Sequence, residues 1–163
     1  MQSSATVVIA TPQDQQTVWV WGDEYKFIIT SEQTGGSYAL WEEWANPGSG
    51  TPPHIHHKEH EVFYILEGEM TFFKDGQAVK AGPGTLVHVP SGVVHNYLNQ
   101  TDQIVHMMVM VTPGGFEQLL LAISDPIIAG QSAPAVTPEK IETLTRLAPV
   151  YHMEVVNADA QPA

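Results

Sequence analysis

An all-β barrel or sandwich followed by one or two helices is the fold class the sequence predicts, on three observations. From Val18 to about Val111, short β-branched and aromatic runs alternate with turn clusters. Asp75-Gly76 lies between two alternating runs in "EMTFFKDGQAVKA", the chemistry of a tight hairpin whose turn needs positive φ. Beyond Val111 the apolar period changes from that of a strand to that of a helix.

In chain order the strands read as "TVWVWG", "YKFIIT", "YALWEEWA", "EVFYILEGEMTFFKDGQAV", "GTLVHVP" and "IVHMMVMV". Between them "TGGS", "NPGSGTPP", "KDG", "AGPG", "PSG" and "NQTDQ" supply the turns. Residues 1–36 are expected to form N-terminal strands of the barrel or a dimer arm. Val62, Phe63, Tyr64, Ile65 and Leu66 make one strand apolar on both sides. One face would then fill the barrel and the other meet a second sheet or a partner subunit, so a homodimer is expected. In "GGFEQLLLAIS" a first helix carries Phe116, Leu119, Leu120 and Ile123 on one face. Thr137, followed by Pro138 and Glu139, caps a second helix with a stripe of Ile141, Leu144 and Ala148. "DPIIAGQSAPAV" joins them as a loop, and the last few residues are expected to fray. The helices should close an end of the barrel, with little chemistry of their own.

Composition narrows the function. The 163 residues hold 6 Lys plus Arg against 18 Asp plus Glu, a formal net charge of −12. That sign opposes binding to a phosphate backbone, so nucleic acid is not an expected partner. With no cysteine, a disulfide framework, a thiolate nucleophile and an iron–sulfur cluster are excluded, and any metal must sit on His and carboxylate. "MQSSATVVIATPQDQQ" has no basic n-region, and no run approaches the roughly 18 apolar residues of a spanning helix. A cytoplasmic protein without a membrane partner is expected.

The stretch from His54 to Glu61 packs four histidines and two glutamates into eight residues. Alternation along a strand points His54 and His56 the same way, so both imidazoles can reach one ion. The polar "HKEH" precedes a new strand beginning near Glu61, which resets the phase. Here the pattern resembles the cupin superfamily, whose first motif reads G(X)5HXH(X)3-4E(X)6G. Spacing from His56 alone admits His60 or Glu61. The six residues "VFYILE" before Gly68 favour Glu61, and Gly48 stands five residues before His54. The second cupin motif, G(X)5PXG(X)2H(X)3N, fits "GTLVHVPSGVVHNYLN" through Gly84, Pro90, Gly92, His95 and Asn99. The resemblance covers residues 37–112 as the barrel core, leaving residues 113–163 as C-terminal helices and tail.

That resemblance implies a double-stranded β-helix, the cupin jelly-roll barrel. It also implies one divalent transition metal on His54, His56, Glu61 and His95. Three imidazoles and a carboxylate leave positions open for water, substrate or dioxygen, a set suited to Fe, Mn, Ni, Co or Cu, with Zn acquired on purification. The alternative is a cupin scaffold without metal. His57 and His60 are expected to be surface groups or neighbours of the ligands.

"PPHIHHKEHEVFYILEGEMTFF", "GPGTLVHVPSGVVHNYLN" and "VTPGGFEQLLLAIS" further resemble small single-domain cupins of the quercetin 2,3-dioxygenase-like branch. This implies ring-opening oxidation of a flavonol or another enolisable small molecule by dioxygen, with Glu61 as ligand and catalytic base. Two other functions fit the motifs: a metal-dependent isomerase, lyase or decarboxylase of a keto or sugar acid, and a non-enzymatic metal or small-ligand binding module. Candidates for the substrate pocket are Phe63, Ile65, His88, Met107 and Met110. His106 and the four tryptophans, Trp19, Trp21, Trp41 and Trp44, read as packing residues. Glu42 and Glu43 differ in parity, so a regular strand turns one of them inward.

Overall fold

A computed structural model describes residues 6–74 and 76–156. The strands are β1 (Gln16–Val20), β2 (Asp23–Ile29), β3 (Ala39–Ala45), β4 (His54–His56), β5 (His60–Glu67) and β6 (Met70–Lys74), then β7 (Gln77–Ala81), β8 (Leu86–Val89), β9 (Asn96–Leu98), β10 (Val105–Thr112), β11 (Asp125–Pro126) and β12 (Met153–Val155). Two helices, α1 (Glu117–Ile123) and α2 (Pro138–Leu147), follow β10 and β11 respectively. Seven strands form one sheet in the order β11-β1-β2-β3-β10-β5-β8, and β7-β6-β9 form a second. Phe63 of the larger sheet packs on Phe72 and Tyr97 of the smaller, with ring centroids 5.0 and 5.5 Å apart, so the two sheets enclose one core. The two sheets form the expected jelly-roll barrel.

Strict alternation builds that core. Tyr25, Phe27 and Ile29 on β2, Trp41 on β3, and Val105, Met107, Val109 and Val111 on β10 are buried, and their sequence neighbours face outward. Each large apolar side chain buried this way contributes roughly 1.5–3 kcal/mol. The double-faced apolarity of β5 resolves the same way. Phe63 and Ile65 point into the core, while Tyr64 on the outer face keeps 40% of its surface exposed.

The predicted hairpin forms between β6 and β7, where Lys74 pairs with Gln77. Gly76 takes φ +73°, as the turn demands; Asp75 lies outside the described residues. The helices also stand where the sequence places them. Phe116, Leu119 and Ile123 are buried, and the Thr137 hydroxyl accepts the Lys140 N–H. No residue of α2 is buried; Leu144 and Leu147 rest on the core, while Ile141 is half exposed. Buried Glu117 takes N–H donors from Ser31 and Gly115, both at 2.8 Å, pinning the start of α1 to the segment after β2.

Two short strands differ from the sequence reading. β11, inside the expected loop, pairs with β1 through Trp19 opposite Asp125. β12, in the expected tail, pairs with β4, placing Met153 opposite His56 and Val155 opposite His54. Strands of two or three residues carry no readable period, and their pairing partners lie over 90 residues away for each. Fraying was expected of the last residues, and residues 157–163 lie outside those described. No helix among the described residues is long and apolar enough to cross a membrane.

Candidate metal centre

β4 is a three-residue strand carrying His54 and His56 on one side, both buried, as alternation predicts. His54 is bridged to His95 by reciprocal backbone hydrogen bonds of 3.0 Å, which bring the second motif against the first. Gly92 makes this approach possible. It takes φ +82°, a conformation costly for other residues, and its N–H donates to the His56 carbonyl at 2.8 Å. Glu61, the second residue of β5, turns inward and is buried. One donor atom from each of His54, His56, Glu61 and His95 lies within 4.8 Å of every other. Local pattern and long-range pairing thus gather four residues spread over more than 40 positions into one cluster.

Two of the three imidazoles are fixed by their own backbone. His54 Nδ1 lies 2.9 Å from the Pro52 carbonyl, and His95 Nδ1 lies 3.0 Å from that of Val93. A carbonyl only accepts, so both Nδ1 atoms carry the proton and both Nε2 atoms are turned to the cluster. His95 Nε2 stands 2.9 Å from Glu61 Oε2. His56 Nε2 is 3.4 Å from the same oxygen without hydrogen-bond geometry, so neither ring nitrogen of His56 has a hydrogen-bond partner. A buried polar group left this way costs free energy, and a cation binds its lone pair. The donor set, all nitrogen and oxygen, fits a divalent transition ion.

Electrostatics set the charge state of three of the four residues. Burial presses Glu61 toward neutrality, but the adjacent His56 and His95 outweigh it and hold the carboxyl well below the usual range. Burial, with the His95 charge beside it, pushes His54 down to about 4, leaving it a neutral donor. For His95 burial acts downward, yet the hydrogen bond and charge of Glu61 prevail and raise it.

His54 of the cluster lines a cavity of about 290 Å³. Trp21, Pro52, Phe116, Leu120, Leu144 and Met153 are among its walls, so the helices, expected only to close the barrel, and the unexpected strand β12 shape the site. A deeper space of about 50 Å³ touches His54, Glu61, Phe63, Trp41 and Glu43. No Lys or Arg lines either space among the described residues, whereas Asp23, Glu43 and Glu61 do.

The pocket candidates divide. Phe63 lines the inner space. Ile65 and Met107 are fully buried in the core and line neither cavity. His88 and Met110 depart from expectation because their strand parity turns them to the outer face. There exposed His88 meets His60 at 3.2 Å. His106 is also outside, stacked on Trp44 at 4.3 Å and 3.1 Å from Glu42. Exposed His57 pairs with Glu154.

Two inward groups, Tyr97 and Glu59, escape the sequence reading, and a third, Asn99, enters it only as a motif position. Asn99, the last residue of the second motif, is a fully buried clasp donating to the Ala45 and Gln103 carbonyls. Tyr97 shares parity with His95 and Asn99, a signal the pattern "HNYLN" contains. Glu59 is 2% exposed although it stands in the polar turn.

A family model described as "Cupin domain" matches residues 43–111. Quercetin 2,3-dioxygenase of Bacillus subtilis (strain 168) is 31% identical over 106 residues, which make up 64% of this chain and 31% of that protein. The chain therefore spans about a third of the length of this curated relative. An RmlC-like cupin from Shewanella frigidimarina superposes with a TM-score of 0.58 at 16% identity, covering 69% of this chain and 96% of that one. The polyketide cyclase RemF from Streptomyces resistomycificus gives 0.56 at 20% identity, covering 84% and 92%.

Proposed function

This chain is a small cupin similar to the quercetinase-like branch, and from that premise we propose that it is a metal-dependent dioxygenase acting on a flavonol-like or other enolisable small molecule. The observation that carries the reading is the buried cluster of three imidazoles and one carboxylate, of which His54 lines an apolar cavity and His54 and Glu61 line the smaller space beside it. His54, His56, Glu61 and His95 would hold one divalent transition ion. Bound there, such an ion supplies Lewis acidity that makes a substrate hydroxyl easier to deprotonate.

The protein's own groups do the rest. Phe116 and Leu120 line both spaces and exclude water from the reacting end. The apolar walls suit a planar ring system, and Tyr25 and Tyr97 line both spaces. Glu61 accepts the hydroxyl proton of the substrate, forming a carboxyl O–H as the substrate becomes an enolate; dioxygen is the co-substrate. Its histidine neighbours keep Glu61 ionised; because the same interactions weaken it as a base, the transfer would depend on a bound ion making the hydroxyl more acidic. A keto or sugar acid fits the lining less well, because among the described residues no Lys or Arg lines either space to receive its carboxylate. The outward face of the larger sheet, with Tyr64 and Leu86 exposed, supports a homodimer as part of this reading.

Oxygen uptake tests the proposal. Protein loaded with Ni, Mn, Fe, Co or Cu should consume oxygen when given a flavonol. Glu61→Gln should abolish turnover more completely than it abolishes metal binding. No uptake with any of these metals would sink the dioxygenase reading, and tight ligand binding without turnover would favour a binding module.

A further inference from the structure

The three histidines are not held alike. His54 and His95 each place Nδ1 on the carbonyl two residues before them. His56 does not repeat this device. The carbonyl two residues before it is that of His54, which already accepts the His95 N–H at 3.0 Å in the bridge between the motifs. His56 Nδ1 faces Glu59 Oε2 instead, 3.8 Å away. Both residues are 2% exposed, and neither atom has a hydrogen-bond partner. Two complementary buried atoms, a donor and an acceptor, thus confront each other slightly beyond bonding distance, and a modest side-chain rotation closes the gap.

We propose that Glu59 is the positioning residue of His56, accepting its Nδ1–H so that Nε2 is presented to a divalent ion at the cluster. The inference rests on the metal-centre reading above but not on the identity of the substrate or reaction. An imidazole that donates one N–H to a carboxylate has its tautomer and ring orientation fixed and its other nitrogen made more basic. Glu59 supplies for His56 what backbone carbonyls supply for the other two histidines. It does so from the turn between β4 and β5, which also fixes the distance between His56 and Glu61.

The test uses the full chain, with Zn(II) and Co(II) titrated calorimetrically into the metal-free wild type, Glu59→Gln and Glu59→Leu. Loss of the acceptor in Glu59→Leu should weaken binding about 10- to 100-fold. Glu59→Gln keeps an acceptor oxygen in a neutral group of the same shape and should recover much of that loss. In the Zn-loaded wild type, imidazole ¹H–¹⁵N spectra should show His56 with a protected Nδ1–H whose shift moves in Glu59→Gln and whose protection is lost in Glu59→Leu. A merely structural role would leave that signal in place. Wild-type affinity in both variants, or a His56 Nδ1 without its proton, overturns the assignment and leaves the metal reading standing. Failure of the wild type to bind either ion overturns both.

Discussion

Glu43 is the most exceptional single residue of the barrel. It is 1% exposed, and both carboxyl oxygens lie 3.0–3.1 Å from the Tyr97 hydroxyl. One hydroxyl proton cannot serve two acceptors, so a carboxyl that keeps its own proton completes the pair. Burial, reinforced by the charge of Asp23, accordingly pushes Glu43 from 4.5 up to about 8. The sign follows from proton linkage. The folded state retains this proton up to about 8 while the unfolded chain releases it near 4.5, so the stability it contributes is full below 4.5 and lost as pH rises toward 8. Across that window the metal-free protein should lose roughly 1 kcal/mol per pH unit from this group. His54, held down to about 4, acts in the opposite direction at the acidic end, and it does so in wild type and variant alike. Urea unfolding of metal-free wild type and Glu43→Gln at pH 5 and pH 8 should therefore show the variant gaining stability relative to wild type as pH rises. A difference that does not change with pH would contradict the assignment. Sequence parity already required one of Glu42 and Glu43 to face inward. The register of β3 between β2 and β10 decides which.

Among the elements, β4 depends most on its surroundings. Three residues give it little stability of its own, and its strand partner is β12, from near the other end of the described chain. The His57 N–H adds a bond of 2.8 Å to the His152 carbonyl, and the Val156 N–H adds one of 2.9 Å to that of Pro53. The C-terminal segment therefore clamps the strand that carries two of the four clustered residues. Ending the chain after Val150 should weaken Zn(II) binding roughly tenfold or more, because His54 and His56 lose their alignment. The strands of the larger sheet should keep their circular dichroism, since β12 belongs to neither barrel sheet. Unchanged affinity in the truncated protein would show that the bridge to His95 suffices. The helix stripe belongs to this scale too. Leu119 is fully buried beneath the cavity, and Leu119→Ala should cost about 2–5 kcal/mol in chemical unfolding.

At the scale of the whole molecule, charge and cavity act together. A net charge of −12 surrounds a cavity that, among the described residues, is lined by acids and no Lys or Arg, so in the metal-free protein an anionic ligand meets repulsion on approach and no cationic side chain inside. A neutral flavonol should bind at least about tenfold more tightly than its carboxylated analogue, with quenching of the cavity residue Trp21 as the readout. The difference should narrow as salt is added. Equal affinities would remove the case for a neutral substrate. Much of this architecture is legible in the chain itself. Alternation marks the strands, Asp75-Gly76 the hairpin, Thr137-Pro138 the second helix, and two spaced motifs the residues that cluster, because each is a local pattern set by strand period, turn conformation or capping. Other features are not local. The strands β11 and β12 are too short to have a period, Glu59 reads as turn polarity until its burial is known, and His88 and Met110 face outward because of register. The sequence by itself determined the barrel and the identity of His54, His56, Glu61 and His95. Only the tertiary structure decided what surrounds them, the acidic and apolar lining, the clamp of β12 and the carboxylate behind His56, because burial and pairing between distant residues arise from the packed chain and not from any single stretch of it.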